Sequence, residues 1–161
     1  ITSDNMDLNQ LANILALDLG SKTIGIAKSD DLGIAAHAIT TIFRRDLNWD
    51  LQELGKFITD YKITTIVLGY PLHKDGNIGE SAKKSEVFKE ILEKHFSLSV
   101  ILWDERYTTQ DAEDILLIAD ISRKKRKKVI NQLAAQRILT GYMEAKRNED
   151  RKSDTFDDNN E

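Results

Sequence analysis

Asp18 interrupts an otherwise apolar strand within the stretch Ile14 to Asp30, ILALDLGSKTIGIAKSD, and any fold open to this chain must find a use for that carboxylate at the margin of a core. Strand alternation puts Ile14, Ala16 and Asp18 on one face and Leu15, Leu17 and Leu19 on the other. An ionisable group sharing a face with buried residues is costly unless it is neutralised, paired or bound to a cation. Gly20-Ser21-Lys22 reads as a turn, and the returning strand presents Thr23, Gly25 and Ala27 on one face. Small side chains there predict room for the backbone of a ligand.

The remaining chain changes period in a way that sets its architecture. Residues 1 to 12 have weak periodicity and read as a flexible lead-in. Strands are expected at about 13–19, 23–29 and 34–43, the first two as a hairpin. Leu47, Leu51, Leu54, Ile58 and Tyr61 then recur at helical spacing, predicting a helix over about 46–61. Ile63 to Tyr70 is apolar nearly throughout, as a strand covered on both faces would be, and ends at Pro71, the only proline. After the loop LHKDGNIG comes a helix over about 80–95, expected to bury Val87, Phe88, Ile91 and Leu92. A last strand over about 98–103 runs into Asp104, Glu105 and Arg106, followed by helices over about 109–119 and 125–147. Three antiparallel strands followed by strands alternating with helices predict an α/β fold, a mixed five-stranded sheet with parallel later strands and helices on both faces.

Charge is divided unevenly. Of the 27 acids and 23 bases, residues 149–161 hold six acids and two bases, so the body is neutral and the end acidic. Residues 148–161 are accordingly expected to form a disordered acidic tail behind a domain of residues 13–147. Within the body, Arg123-Lys124-Lys125-Arg126-Lys127-Lys128 is an unbroken cationic run, read either as a solvated helix start or as a contact to phosphate backbone. The chain has no cysteine, no membrane-length apolar run and no signal segment, which predicts a soluble protein of a reducing compartment, the cytoplasm.

In such sheets ligands gather at the carboxyl ends of the parallel strands. Asp18 lies near that end of the first strand, and Asp104 and Glu105 just past that end of the last. Carboxylates converging at one edge call for a cation, and oxygen donors without cysteine or paired histidine favour Mg2+ or Mn2+. Such a cluster suits phosphodiester hydrolysis. Lys22, Lys74, Arg106 and the 123–128 run would add a positive track for nucleic acid, recognised by shape or single-strandedness. The loop from Pro71 to Gly79, with its glycines, is expected to admit a phosphate strand close to its backbone.

The motifs Asp18-Leu19-Gly20-Ser21-Lys22, Gly25 to Asp30, Gly69-Tyr70-Pro71-Leu72 with Asp75-Gly76 and Gly79, Trp103-Asp104-Glu105-Arg106 with Thr108-Thr109, and Ser122-Arg123-Lys124-Lys125 leading to Leu133-Ala134-Ala135 together resemble the YqgF family. The resemblance covers about residues 13–145. It implies a ribonuclease H-like fold and a metal-dependent nuclease, either resolving Holliday junctions or maturing the precursor of the small-subunit ribosomal RNA. Its substrate would be branched DNA or pre-rRNA, and its state a monomer or homodimer. The family pattern sets acids on the first strand, after the last strand and on the final helix. Asp18 and Glu105 match the first two, and Asn131 stands where the third acid should be. By resemblance these three are the expected catalytic and metal-binding residues.

Asn131 shares a helix face with Ala134, Ala135 and Ile138, which should let the helix approach the sheet and turn the amide toward the carboxylate edge. An amide oxygen can ligate a hard cation but brings no charge, so weaker binding of a second metal is expected. Two rivals follow: a nucleic-acid-binding protein without catalysis, and a nucleotide-binding ATPase of the actin and sugar-kinase kind, whose phosphate hairpin DLGSKTIGIA also resembles. Thr108 or Thr109 reads as a helix N-cap, Trp103 as core or a base-stacking surface, and His37, His73 and His95 share no metal-ligand spacing.

Overall fold

The computed structural model describes residues 11–105 and 122–159. In chain order these form β1 (Ile14–Leu19), β2 (Thr23–Ser29), β3 (Ala36–Phe43), α1 (Leu47–Asp60), β4 (Thr65–Tyr70), α2 (Glu80–Phe96), β5 (Ser99–Asp104) and α3 (Arg123–Asn159). One five-stranded sheet has the order β3-β2-β1-β4-β5. The β1–β2 and β2–β3 pairs are antiparallel, and the β1–β4 and β4–β5 pairs are parallel. This is the expected ribonuclease H-like arrangement. The helix expected at 109–119, with Thr108, Thr109 and Arg106, lies outside the described residues.

Alternation along β1 separates two cores. Leu15 and Leu17 join Ile24, Ile26, Ile66 and Leu68 beneath α1 and α2, which contribute Leu51, Leu54, Phe88 and Leu92. Ile14 and Ala16 join Ala27, Ala36 and Val67 beneath α3, which contributes Ala135, Ile138, Leu139 and Met143. Asp18 therefore belongs to the α3 face, where the sheet is built of smaller residues.

Local chemistry explains the boundaries. Asp46 caps α1 by accepting the Trp49 N–H at 2.9 Å. Ser122 accepts the Lys125 N–H through Oγ at 3.3 Å and thereby caps α3. The α2 helix ends at Ser97, which takes a left-handed conformation (φ 55°).

Several expectations are corrected. Leu11 and Ala12, expected in the lead-in, are buried, and Leu11 packs in the α3-side core. Val87, expected in the core, is 58% exposed, and Leu47 is 40% exposed, because each lies at the margin of its helix's apolar face. The final helix does not end near 147 but continues through Asn159. No glycine or proline follows Gly141 to stop it, and Lys146 pairs with Glu149 one turn on at 3.5 Å.

Candidate active site

The carboxyl ends of β1, β4 and β5 bring Asp18 and Glu105 together. Asp18 stands opposite Gly25 of β2 and one residue beyond the Leu17–Leu68 pair, beside Gly69 of β4. Glu105 extends the β4–β5 ladder by one bond, its N–H donating to the Tyr70 carbonyl at 3.4 Å. Its carboxylate then folds back over the bare backbone of Gly69, where an added Cβ would overlap Glu105 Oε1 and stand 2.8 Å from Ile138 Cδ1. Only glycine leaves that space on the α3 face.

The electrostatics agree with this proximity. Burial raises the Asp18 carboxyl to about 6. Glu105 is raised to about 8, first by burial, then by the charges of Asp18 and Asp104. Asp18 makes no hydrogen bond to the turn that follows it among the described residues, and that turn is closed instead by Gly20 N–H to Thr23 O at 2.8 Å. The carboxylate therefore does not serve to order the turn. Two half-buried acids side by side, both resisting ionisation, form a place where a divalent cation would relieve repulsion.

The third position differs from a carboxylate in what it does. Asn131 comes to the same edge, but its amide nitrogen donates to Thr23 Oγ1 at 2.9 Å. The helix backbone at Asn131 also lies directly on Gly25, where an added Cβ would overlap the Asn131 carbonyl oxygen. The small-residue face of β2 was expected to admit a ligand's backbone; it is filled by the chain's own α3. Among the described residues, no three His, Cys, Asp or Glu side chains gather into a metal cluster. Asp18 and Glu105 alone still suit one hard cation: both are oxygen donors and both are held close by backbone packing.

The described cations expected to bind nucleic acid share that edge. Thr41 of β3 faces Gly25, which faces Asp18, and the Thr41 hydroxyl donates to the Lys128 carbonyl at 2.7 Å. Two strand spacings, about 10 Å, thus separate Asp18 from the point where Lys128 rests on the sheet. Arg123, Lys125, Lys127 and Lys128 are exposed and Arg126 is half-buried on the opening turns of α3, which also carry Lys124. Six cations at a helix N-terminus oppose the macrodipole, an arrangement that an anion would relieve. Lys22, in the β1–β2 turn, and Lys74, in the β4–α2 loop, are exposed at the same end of the sheet.

The Pro71–Gly79 loop is ordered by contacts of its own. Its turn is closed internally by Gly76 N–H to His73 O at 2.8 Å, and Asp75 Oδ1 accepts the Asn77 N–H at 3.0 Å. The space at Gly79 is occupied by the His73 imidazole, against which an added Cβ would collide. His73, assigned no role from sequence, fills the space beside Gly79. Trp103 packs edge-on against Tyr142, centroids 5.6 Å apart, and belongs to the core.

Sequence reasoning missed one pair altogether. Asp50, fully buried in the first turn of α1, accepts Arg44 Nε at 3.0 Å and the Arg45 N–H at 3.0 Å. Arg44 Nη1 in turn donates to the Gly20 carbonyl at 2.9 Å, tying the turn after Asp18 to α1. An acid five and six residues after paired arginines was the available signal.

Comparison with known proteins follows the same line. The model of the RuvX family, described as Holliday junction resolvase, matches residues 12–145. The chain belongs to this family. A Bacillus subtilis relative described as "Putative pre-16S rRNA nuclease" is 46% identical over 134 residues, spanning 82% of this chain and 97% of its own. A Geobacillus relative of the same description is 47% identical over 135 residues, spanning 83% and 98%. Among solved structures, fowlpox virus resolvase in complex with Holliday junction DNA aligns with a TM-score of 0.48 at 15% identity, covering 82% of this chain and 97% of that one. Membership of this family is consistent with a nuclease acting on structured nucleic acid. Among the described residues, no helix of this RuvX-family chain is long and apolar enough to cross a membrane.

Proposed function

We propose that this RuvX-family chain is a metal-dependent endonuclease that trims the 5′ end of the 16S rRNA precursor. The observation that carries the reading is the apposition of Asp18 and Glu105 over Gly69 at a sheet edge ringed by exposed cations. The RNA substrate is supported by the relatives' shared description, and junction resolution by the family's own. Asp18 and Glu105 would hold Mg2+ or Mn2+. When bound, that ion supplies a Lewis acid and a water of lowered pKa. Holding it requires both carboxylates ionised, so Glu105 must give up the proton that its surroundings favour. The 123–128 run, Lys22, Lys74 and Arg106 would grip phosphates on either side of the cut and fix the strand's position without reading its sequence.

A second reading rests on Asn131. Its amide is committed to Thr23, so the third donor position adds no negative charge, and a protein that binds structured nucleic acid without cutting it fits that geometry.

Both are tested by cleavage of labelled single-stranded RNA, single-stranded DNA and four-way DNA junctions in Mn2+, comparing the parent with Asp18→Asn and Asn131→Asp. The expected result is parental cleavage of RNA, lost in Asp18→Asn by a factor on the order of 10²–10³, the size seen when one preorganised charge is removed at a reacting centre. Junction cleavage alone would select resolution instead. A silent parent restored by Asn131→Asp would establish the binding reading.

A further inference from the structure

On the opposite face of the sheet from the two carboxylates, a cleft of about 810 Å³ opens between the β1–β2 turn, α1 and α2. Its walls divide by chemistry. Leu47, Val87 and Ile91 provide an apolar side, Arg44, Lys83 and Lys84 a cationic one, and no acid is among the described lining residues. Both Leu47 and Val87 leave large apolar surface open to solvent, 40% and 58% of each residue, which a soluble helix face ordinarily covers.

The cleft is prebuilt around Arg44. Its guanidinium is held by fully buried Asp50, by the Gly20 carbonyl and over the Phe88 ring, 5.8 Å from the centroid. A planar cation pinned on three sides loses little freedom when a second flat group stacks on it. Volume and composition match one nucleotide: a base against the apolar wall and guanidinium, its phosphate at Lys83 and Lys84. Ser21, which also lines the cleft, is three residues beyond Asp18, at most about 11 Å along the chain. A strand whose phosphate lies at Asp18 therefore has its neighbouring nucleotide within reach of this cleft.

We propose that the Arg44–Lys84–Val87 cleft is a binding site for a single unpaired nucleotide flanking the cleaved phosphate, and that it selects strands over intact duplex. A stacked, paired base cannot enter, so the flanking base must be unpaired or splayed out. The proposal rests on the nuclease reading for its purpose, but the site itself can be tested without cleavage.

The experiment is amide NMR titration of the full chain in chelator with adenosine 5′-monophosphate, adenosine and inorganic phosphate. It is repeated on Val87→Asp and Lys83→Glu/Lys84→Glu, whose exposed positions leave the core untouched. The expected result is saturable shifts at Ser21, Lys84 and Val87 with the nucleotide, tighter than with either fragment, and weakened tenfold or more in both variants. Binding unchanged in both variants, or shifts confined to Arg123–Lys128, would overturn it. Nucleotide binding in the cleft without cleavage of any substrate would leave this site standing while removing the nuclease reading. Cleavage with equal efficiency on blunt duplex and single strand would do the reverse.

Discussion

The two faces of the sheet are built to different rules. Toward α1 and α2, the strands offer Leu15, Leu17, Ile24, Ile26, Ile66 and Leu68, large side chains that hold the helices off at ordinary packing distance. Toward α3, they offer Ala16, Gly25, Ala27, Ala36, Val67 and Gly69, and the helix backbone comes down onto the sheet. The first face stores stability in apolar volume. The second gives up volume so that a helix carrying Asn131 and six cations, and the Glu105 carboxylate, can reach the end of β1. The reach of Asn131 and Glu105 to the end of β1 is a consequence of missing side chains.

Removing volume from the large-residue face tests whether the two faces are independent. Leu54→Ala, at a fully buried position of α1, is expected to cost about 2–5 kcal/mol in denaturant unfolding while leaving cleavage per folded molecule nearly unchanged. If cleavage fell in proportion, the two faces would not be independent. Adding volume to the small-residue face should do the opposite. Gly69→Ala is expected to cost about 1–3 kcal/mol, because the new methyl collides with Glu105 and Ile138, and to lose activity well beyond its loss of stability. Equal activity in Gly69→Ala would show that the position of Glu105 over β4 does not matter to the chemistry.

A pH dependence confined to the α3 face is expected as well. In the metal-free protein Asp18 titrates near 6 and Glu105 near 8, both above their ordinary values of 3.8 and 4.5. The folded state therefore holds more protons than the unfolded state across that interval. The stability these groups contribute is complete below about pH 4 and is lost as pH rises through 6 and then 8. Denaturation midpoints of the metal-free parent should fall between pH 5 and pH 9, and Glu105→Gln should flatten the upper part of that fall. Saturating Mg2+ should flatten it as well, since the cation takes the place of the protons. An identical slope in the parent and in Glu105→Gln would mean that neither burial nor Asp18 holds the proton on Glu105.

Much of this was legible in the chain, and the failures have a common cause. The period of two around Asp18 placed the carboxylate on its correct face, and the switch to helical spacing after residue 46 foretold the element order. The approach of α3 through Ala134, Ala135 and Ile138 was also readable, as was the arrival of Asn131 at the carboxylate edge. What was misread were spaces. The space at Gly25, which reads as room for a ligand, is filled by the Asn131 backbone. Val87 was assigned to the core because apolar character alone does not show where a helix's covered face ends.

The sequence by itself determined the periodicities, and with them the sheet, its two faces and the end of it that carries acid. These are local properties, written every two or every three to four residues. The tertiary structure alone decided what each small residue makes room for, that Asn131 spends its amide on Thr23 108 residues away, and that Arg44 is locked between Asp50 and Gly20. Such pairings depend on which distant segment arrives at a given gap, and no local spacing encodes that.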